Sequence, residues 1–259
     1  MNKLQILVTR PYPAGAELCD LIQHQGDQAI YLPTIEFAPP NNLEKLNAAM
    51  QKAGQQDWLI FISPQAVYSS IPLLRRTWPE LPPTIQFAAV GAGTAKAALA
   101  AGYRIHTFPQ LGGSEALLAL PEFQTVDRKK IGIIRGEGGR DLLEKTLKLR
   151  GAEILSMMTY QRLRPILTIE QIRLFKDNKI DVSVATSCEA VQNLKMMLGN
   201  ENWFILKTIP LITISKRIQK FARDLGFQTI WLTPDANHQS ILELLAIKRK
   251  ELCQSQAKK

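Results

Sequence analysis

The feature that most limits what this chain can fold into is an internal duplication. Leu59-Ile60-Phe61-Ile62-Ser63-Pro64-Gln65-Ala66-Val67 matches Ser183-Val184-Ala185-Thr186-Ser187-Cys188-Glu189-Ala190-Val191 in pattern, and each run follows an aspartate, Asp57 or Asp181. Phe87 to Val90, then Gly91 and a helical stretch ending in Ala101-Gly102-Tyr103, parallels Leu211 to Ile214, then Ser215 and a stretch ending in Leu225-Gly226-Phe227. The openings match too. Ile6-Leu7-Val8-Thr9-Arg10 leads to a helix ending near Gly26, and Ile131-Gly132-Ile133-Ile134-Arg135 to one ending near Gly151. The register is constant between the first two of these pairs, so the chain carries two copies of one unit.

Within each copy, short apolar runs alternate with helical periodicity. The pattern predicts strands at 4–9, 28–32, 57–62, 85–90, 104–108, 131–135, 152–158, 180–186, 210–214 and 228–232. Helices are expected between them, for example at 15–25, 65–75, 94–101, 138–150, 189–198 and 216–225. A continuous run such as Trp58–Ile62 suits a strand covered on both faces. Strand and helix in alternation imply a parallel sheet with right-handed crossovers and helices on both sides. The connectors 33–42 and 159–167 are rich in turn formers, with Pro39, Pro40 and Pro165 as helix breakers. Two chain paths satisfy the repeat: two domains in tandem, or an inserted middle domain with the first βαβ piece joining the last elements.

Composition narrows the function classes. The chain has 259 residues, 46% hydrophobic and 21% charged, which is the balance of a globular protein. No run approaches the ~18 apolar residues of a membrane span and the N-terminus lacks a signal-peptide pattern, so we expect a cytoplasmic protein. Cys19, Cys188 and Cys253 sit at unrelated spacings, as do His24, His106 and His238; neither a disulfide framework nor a metal site is expected. The net charge of +9 draws on Lys248, Arg249, Lys250, Lys258 and Lys259 near the C-terminus and on Arg128, Lys129 and Lys130. No base-stacking or groove-reading motif accompanies it, which disfavours nucleic acid; a small polyanion suits the charge.

In doubly wound sheets ligands meet the carboxyl ends of the strands, where the next helix presents unpaired N–H groups. Three pairs of places fit an anion. Val8-Thr9-Arg10-Pro11 and its partner Arg135-Gly136-Glu137-Gly138-Gly139-Arg140 combine glycine turns with arginines. Ser63-Pro64 and Thr186-Ser187 follow buried strands; a serine there is also an ordinary helix cap. Gly91-Ala92-Gly93-Thr94 is a glycine turn opposite Ser215-Lys216-Arg217, whose two cations read as surface residues. Tyr160 lies in the second connector, where a tyrosine is either an amphipathic plug or a proton donor, since an ordinary phenol stays protonated at neutral pH. No Ser–His–Asp set, paired carboxylates, phosphate loop or kinase signature is present.

Taken in order along the chain, ILVTRPYPAGAEL (6–18), LPTIEF (32–37), AAVGAGTA (88–95), IIRGEGGRDLLEKTLKLRGAEI (133–154), TYQR (159–162), VATSCEAVQNL (184–194) and ITISKRIQKFARDLGF (212–227) resemble the uroporphyrinogen-III synthase family in its gamma-proteobacterial form. The resemblance implies two similar parallel-sheet, flavodoxin-like domains with an interleaved path. Residues 1–35 with 166–259 would form the discontinuous first domain and 40–158 the inserted second, joined by connector strands 33–40 and 158–166 that act as a hinge. It implies a cofactor-free lyase that closes hydroxymethylbilane, a linear tetrapyrrole with eight carboxylates, between the domains, losing water and inverting the D ring. Tyr160 maps to the family's connector tyrosine, a candidate general acid. Thr9, Arg10, Ser63, Gly91, Thr94, Arg135, Gly136, Ser187 and Ser215 map to substrate-contacting positions. At Ser215-Lys216-Arg217 the family's glycine–threonine turn is replaced, and Cys188 stands where a proline is frequent. A monomer is expected, with at most a transient contact to porphobilinogen deaminase. The competing classes are a non-catalytic tetrapyrrole-binding regulator of the same fold, a sugar transferase and a nucleic-acid binder; two-copy symmetry of the anion sites argues against the transferase.

Overall fold

The computed structural model describes residues 3–176, 180–235 and 237–256, without the side chains of 174, 176 and 253–256. Lys258, Lys259 and the Cys253 side chain, noted in the sequence, lie outside the described residues. The chain divides into two compact units: residues 1–36 with 163–259, and residues 37–162.

The first unit holds β1 (Gln5–Val8), α1 (Ala14–His24) and β2 (Gln28–Tyr31), followed much later in the chain by α8 (Ile169–Lys176), β8 (Val182–Val184), α9 (Cys188–Leu206), β9 (Leu211–Thr213), α10 (Lys216–Asp224), β10 (Ile230–Leu232) and α11 (His238–Gln256). Its sheet has the order β10-β9-β8-β1-β2, and every registered pair in it is parallel. Numbered within the unit, that is the doubly wound order 2-1-3-4-5 of flavodoxin-like proteins. Pleating sorts the core by alternation: Ile6 and Val8 join one apolar cluster with Val182 and Ile241, and Leu7 joins another with Leu194 and Leu211.

The second unit contains α2 (Leu43–Gln51), β4 (Trp58–Phe61), α3 (Pro64–Thr77), β5 (Gln86–Ala89), α4 (Ala92–Ala100), short helices α5 (Ser114–Leu118) and α6 (Pro121–Gln124), β6 (Lys130–Gly136), α7 (Leu142–Leu149) and β7 (Glu153–Leu163), with β3 (Glu36–Ala38) at its edge. Its sheet order is β3-β7-β6-β4-β5. Taking the second repeat first gives the same 2-1-3-4 arrangement, with β3 added outside β7. Each sequence copy therefore gives its first two strands to one sheet and its later strands to the other. Trp58-Leu59-Ile60-Phe61 is buried throughout: Leu59 and Phe61 face one helix layer, Trp58 and Ile60 the other. Burying a phenylalanine of this kind contributes about 1.5–3 kcal/mol.

Two expectations need correction. Residues 104–108 form no strand; they make a single parallel bridge, Ala88 to Thr107. The reason is local: the Phe87 N–H donates to the His106 ring Nδ1 at 2.9 Å, so a side chain takes the place of a ladder carbonyl. The helix expected from 138 begins only at Leu142, because Gly138 (φ 71°) and Gly139 (φ 84°) adopt left-handed backbone. The segment 159–163, expected as part of connector strand 158–166, is strand and continues β7, with β3 as its hydrogen-bonded neighbour.

Candidate functional site

The strand order reverses between β1 and β8 in one unit and between β6 and β4 in the other, and ligands favour that crevice beyond the strands' carboxyl ends. In the second unit the elements around the switch point bring three sequence candidates together. Ser63 follows β4 and caps α3, its Oγ accepting the Ala66 N–H at 3.0 Å. Gly136 ends β6, where the register with β7 shifts, opposite Tyr160. The Tyr160 hydroxyl lies 3.1 Å from Ser63 Oγ.

Tyr160 is 1% exposed, its ring meeting Phe37 edge-on at 5.3 Å between centroids. A Cβ on residue 136 would stand 2.5 Å from the Tyr160 ring and 3.0 Å from its oxygen, so only glycine leaves room for the phenol. Arg162, two residues along β7 and hence on the same face, donates to the Tyr160 oxygen at 3.4 Å, with its guanidinium carbon 5.6 Å from the ring centre. Ser69 Oγ and Thr159 Oγ1 are hydrogen-bonded at 2.7 Å nearby. Beside them an open cavity of about 350 Å³ is lined by Phe37, Pro39, Leu46, Gln65 and Tyr160 among others. The sequence gives Arg162 no role; the signal is the i, i+2 spacing within TYQR, visible once 159–163 is read as strand.

The other candidates separate by what their groups already do. The Arg135 side chain, its residue 4% exposed, turns into its own loop. It donates to the carbonyls of Gly138 (2.6 Å) and Arg140 (3.4 Å) and pairs with Asp141 (3.3 Å) and Glu144 (3.7 Å). Its side chain thus shapes the 136–141 loop. Arg140 pairs with Glu115 at 3.2 Å. At α4, Gly91 is the cap; its carbonyl accepts the N–H groups of Thr94 and Ala95, while a Cβ here would come within 3.1 Å of Gly112. The helix-start donors without an intrahelical partner are therefore those of Gly91, Ala92 and Gly93, which include one of the predicted pair.

In the first unit Thr9 is fully buried; its hydroxyl (2.7 Å) and its N–H (3.2 Å) both donate to the Val184 carbonyl, clasping β1 to β8 at the switch point. Arg10 is half-buried. Burial lowers its guanidinium from the ordinary value, opposed by the charge of Glu17. His238, missed in the sequence for want of a motif, sits with its Nδ1 3.9 Å from Glu17; burial, then the Arg10 charge, lowers its proton affinity. Ser187 and Ser215 cap α9 and α10, accepting the N–H of Ala190 (2.9 Å) and Ile218 (3.3 Å). Lys216 and Arg217 are exposed. Among the described residues no His, Cys, Asp or Glu cluster could hold a metal ion, and no helix is long and apolar enough to cross a membrane.

Each switch point thus has one helix start capped by a serine hydroxyl, Ser63 in the second unit and Ser187 in the first, a polar rather than nucleophilic arrangement. Comparison with known proteins gives this geometry its context. A family model described as uroporphyrinogen-III synthase HemD matches residues 16–243. The chain is 34% identical over 250 residues to the uroporphyrinogen-III synthase of Escherichia coli K12, covering 93% of this chain and 100% of the relative. It is 33% identical over 250 residues to that of Salmonella typhimurium LT2, with the same coverage. Among solved structures, a mutant uroporphyrinogen III synthase from the extremely thermophilic bacterium Thermus thermophilus superposes with a TM-score of 0.62 at 16% identity, covering 97% of this chain and 99% of that one. The uroporphyrinogen-III synthetase of Helicobacter pylori 26695 gives 0.60 at 16% identity, covering 95% and 99%. Those two likenesses concern the fold; the profile match and the curated relatives establish that the chain belongs to the uroporphyrinogen-III synthase family.

Proposed function

We propose that this protein converts hydroxymethylbilane to uroporphyrinogen III, releasing water and inverting the D ring, as a lyase of tetrapyrrole biosynthesis. The observation that carries the mechanistic part of this reading is the Tyr160–Ser63 hydrogen bond beside Gly136 at a sheet's switch point. Departure of the substrate's hydroxyl as water needs a proton, and Tyr160 is its source. Ring closure without inversion needs no protein; what the protein must add is a bent, fixed substrate whose D ring presents its substituted carbon to the reactive methylene. That is catalysis by orientation and charge stabilisation, and it requires no cofactor.

The eight substrate carboxylates are held, in this reading, by Arg10 and by the strand-end groups at Thr9, Ser63, Gly91, Thr94, Arg135, Gly136, Ser187 and Ser215. The contribution at Thr9 and Arg135 is positional, since their side chains face inward. A chain of net charge +9 favours such a ligand. We take the connectors 33–40 and 158–166 as domain boundaries, the protein as a cytoplasmic monomer, and any contact with porphobilinogen deaminase as transient. A non-catalytic regulator of this fold is less favoured because the proton-donating hydroxyls are retained.

The test is a coupled assay. The protein is incubated with porphobilinogen and its deaminase, the products are oxidised, and the uroporphyrin isomers are separated. Type III above the background without protein supports the reading; type I alone from folded protein refutes it.

A further inference from the structure

Tyr160 is the proton source of the proposed reaction, yet it is 1% exposed and its hydroxyl is enclosed by Ser63, Gly136 and Arg162. Ser63, by contrast, is half-buried, at the start of α3. Either hydroxyl can donate in the Ser63–Tyr160 pair, and the burial of Tyr160 favours the direction that gives its hydrogen a partner. A guanidinium only donates, so Arg162 makes the Tyr160 oxygen an acceptor at 3.4 Å. Among the described residues Ser63 Oγ is then the acceptor left for the Tyr160 hydrogen, at 3.1 Å. Ser63 Oγ also accepts the Ala66 N–H at 3.0 Å, which fills both of its acceptor positions and leaves its own hydrogen to be given away.

We infer that Arg162, Tyr160 and Ser63 form a one-way proton relay, in which Ser63 is the catalytic group that touches the substrate and Arg162 is a positioning residue. The inference rests on the synthase reading above. Ser63 gives its Oγ hydrogen to the leaving hydroxyl as the carbon–oxygen bond breaks and water departs. The Tyr160 hydrogen moves to Ser63 Oγ, and the phenolate oxygen is left against the Arg162 cation. The proton returns when the pyrrole carbon that makes the final ring-closing bond sheds its hydrogen and regains aromaticity. No oxidant, metal or external acid enters the balance.

The experiment uses single and double variants, assayed for kcat and KM of type III formation from the linear substrate. Ser63→Asn retains a capping oxygen but cannot pass a proton, so it separates the relay from helix stability. Ser63→Asn and Tyr160→Phe should each lower kcat about tenfold with KM unchanged; this falls short of the ~10²–10⁴ of a general acid because the substrate sheds its hydroxyl slowly unaided. The double variant should be no slower than either single, since one chain is cut in both. Ser63→Thr keeps both cap and proton and should recover most of the kcat that Ser63→Asn loses. Arg162→Gln should lower kcat alone, and Arg162→Lys should restore most of it. Multiplying effects in the double variant, full activity of Ser63→Asn, or equal loss in Arg162→Lys and Arg162→Gln would each overturn the relay while leaving the synthase reading intact. A wild-type protein that forms only type I would sink both.

Discussion

Replacing Gly136 with alanine tests how closely the fold is fitted to Tyr160. The new methyl carbon would lie 2.5 Å from Cε2 and 2.6 Å from Cζ of the ring. Non-bonded carbons settle at about 3.5–4.0 Å, so the ring must retreat by about 1 Å. It has little space to do so, being buried against Phe37 and the core around Phe61 and Met157. Overpacking of this kind costs about 1–3 kcal/mol, or a loss of roughly 2–12 °C in Tm. The same retreat stretches the 3.1 Å Tyr160–Ser63 contact past hydrogen-bonding range. A displacement of that size at a reacting group should lower kcat by about tenfold, the loss expected of Tyr160→Phe. The matched control is Gly54→Ala, whose methyl would meet the Trp78 ring at 2.4 Å; Trp78 follows the far end of the helix that Ser63 begins. Both variants should melt earlier, seen by circular dichroism, and only Gly136→Ala should lose type III formation. If Gly136→Ala keeps wild-type kcat, the tight fit of Tyr160 has no part in catalysis.

Three further outcomes follow from the same geometry. Arg135→Met should destabilise by about 2 kcal/mol in a denaturant titration, less than the ~3–5 for a fully buried pair because Asp141 and Glu144 keep some solvent. Glu144 is held below its usual 4.5 first by the hydrogen bond from Lys148, then by Ser156 and the charges of Lys148 and Arg135, against burial. Its folded carboxylate therefore binds protons more weakly than the unfolded one, a stabilisation present above that value and lost as pH falls through the lowered one. Glu144→Gln should thus cost stability at pH 7, with the gap to wild type closing in acid melts. Burial, aided by Asp20, pushes the Cys19 thiol up to about 11, so peptide mapping after alkylation at neutral pH should find Cys19 unmodified in folded protein.

The fold class was legible because it depends on periodicity. The all-apolar Trp58–Phe61 run marks a strand buried on both faces, and the matching Asp-led segments give the duplication. What escaped the sequence was set by single contacts. Nothing in 104–108 announces that the His106 ring replaces a ladder carbonyl. The glycines at 138 and 139 look in sequence like a flexible turn, and their left-handed backbone delays α7. The site was partly legible for the same reason. Ser63 and Gly136 stood out by position at strand ends, and Tyr160 by its place in the connector. Arg162 did not, because no motif marks which face of the connector strand carries its contact with the Tyr160 hydroxyl. The inward turn of Arg135 depends on carbonyls of a loop whose path the sequence does not specify. The His238–Glu17–Arg10 grouping joins residues from both ends of the chain, beyond the reach of any local pattern.

The most direct measurement of the central claim adds preformed hydroxymethylbilane to increasing amounts of the protein and follows the isomer composition of the oxidised products. The type III fraction should rise with protein until it saturates, and Tyr160→Phe, still folded, should slow the rise. A product that remains type I at every concentration of cooperatively melting protein would contradict it.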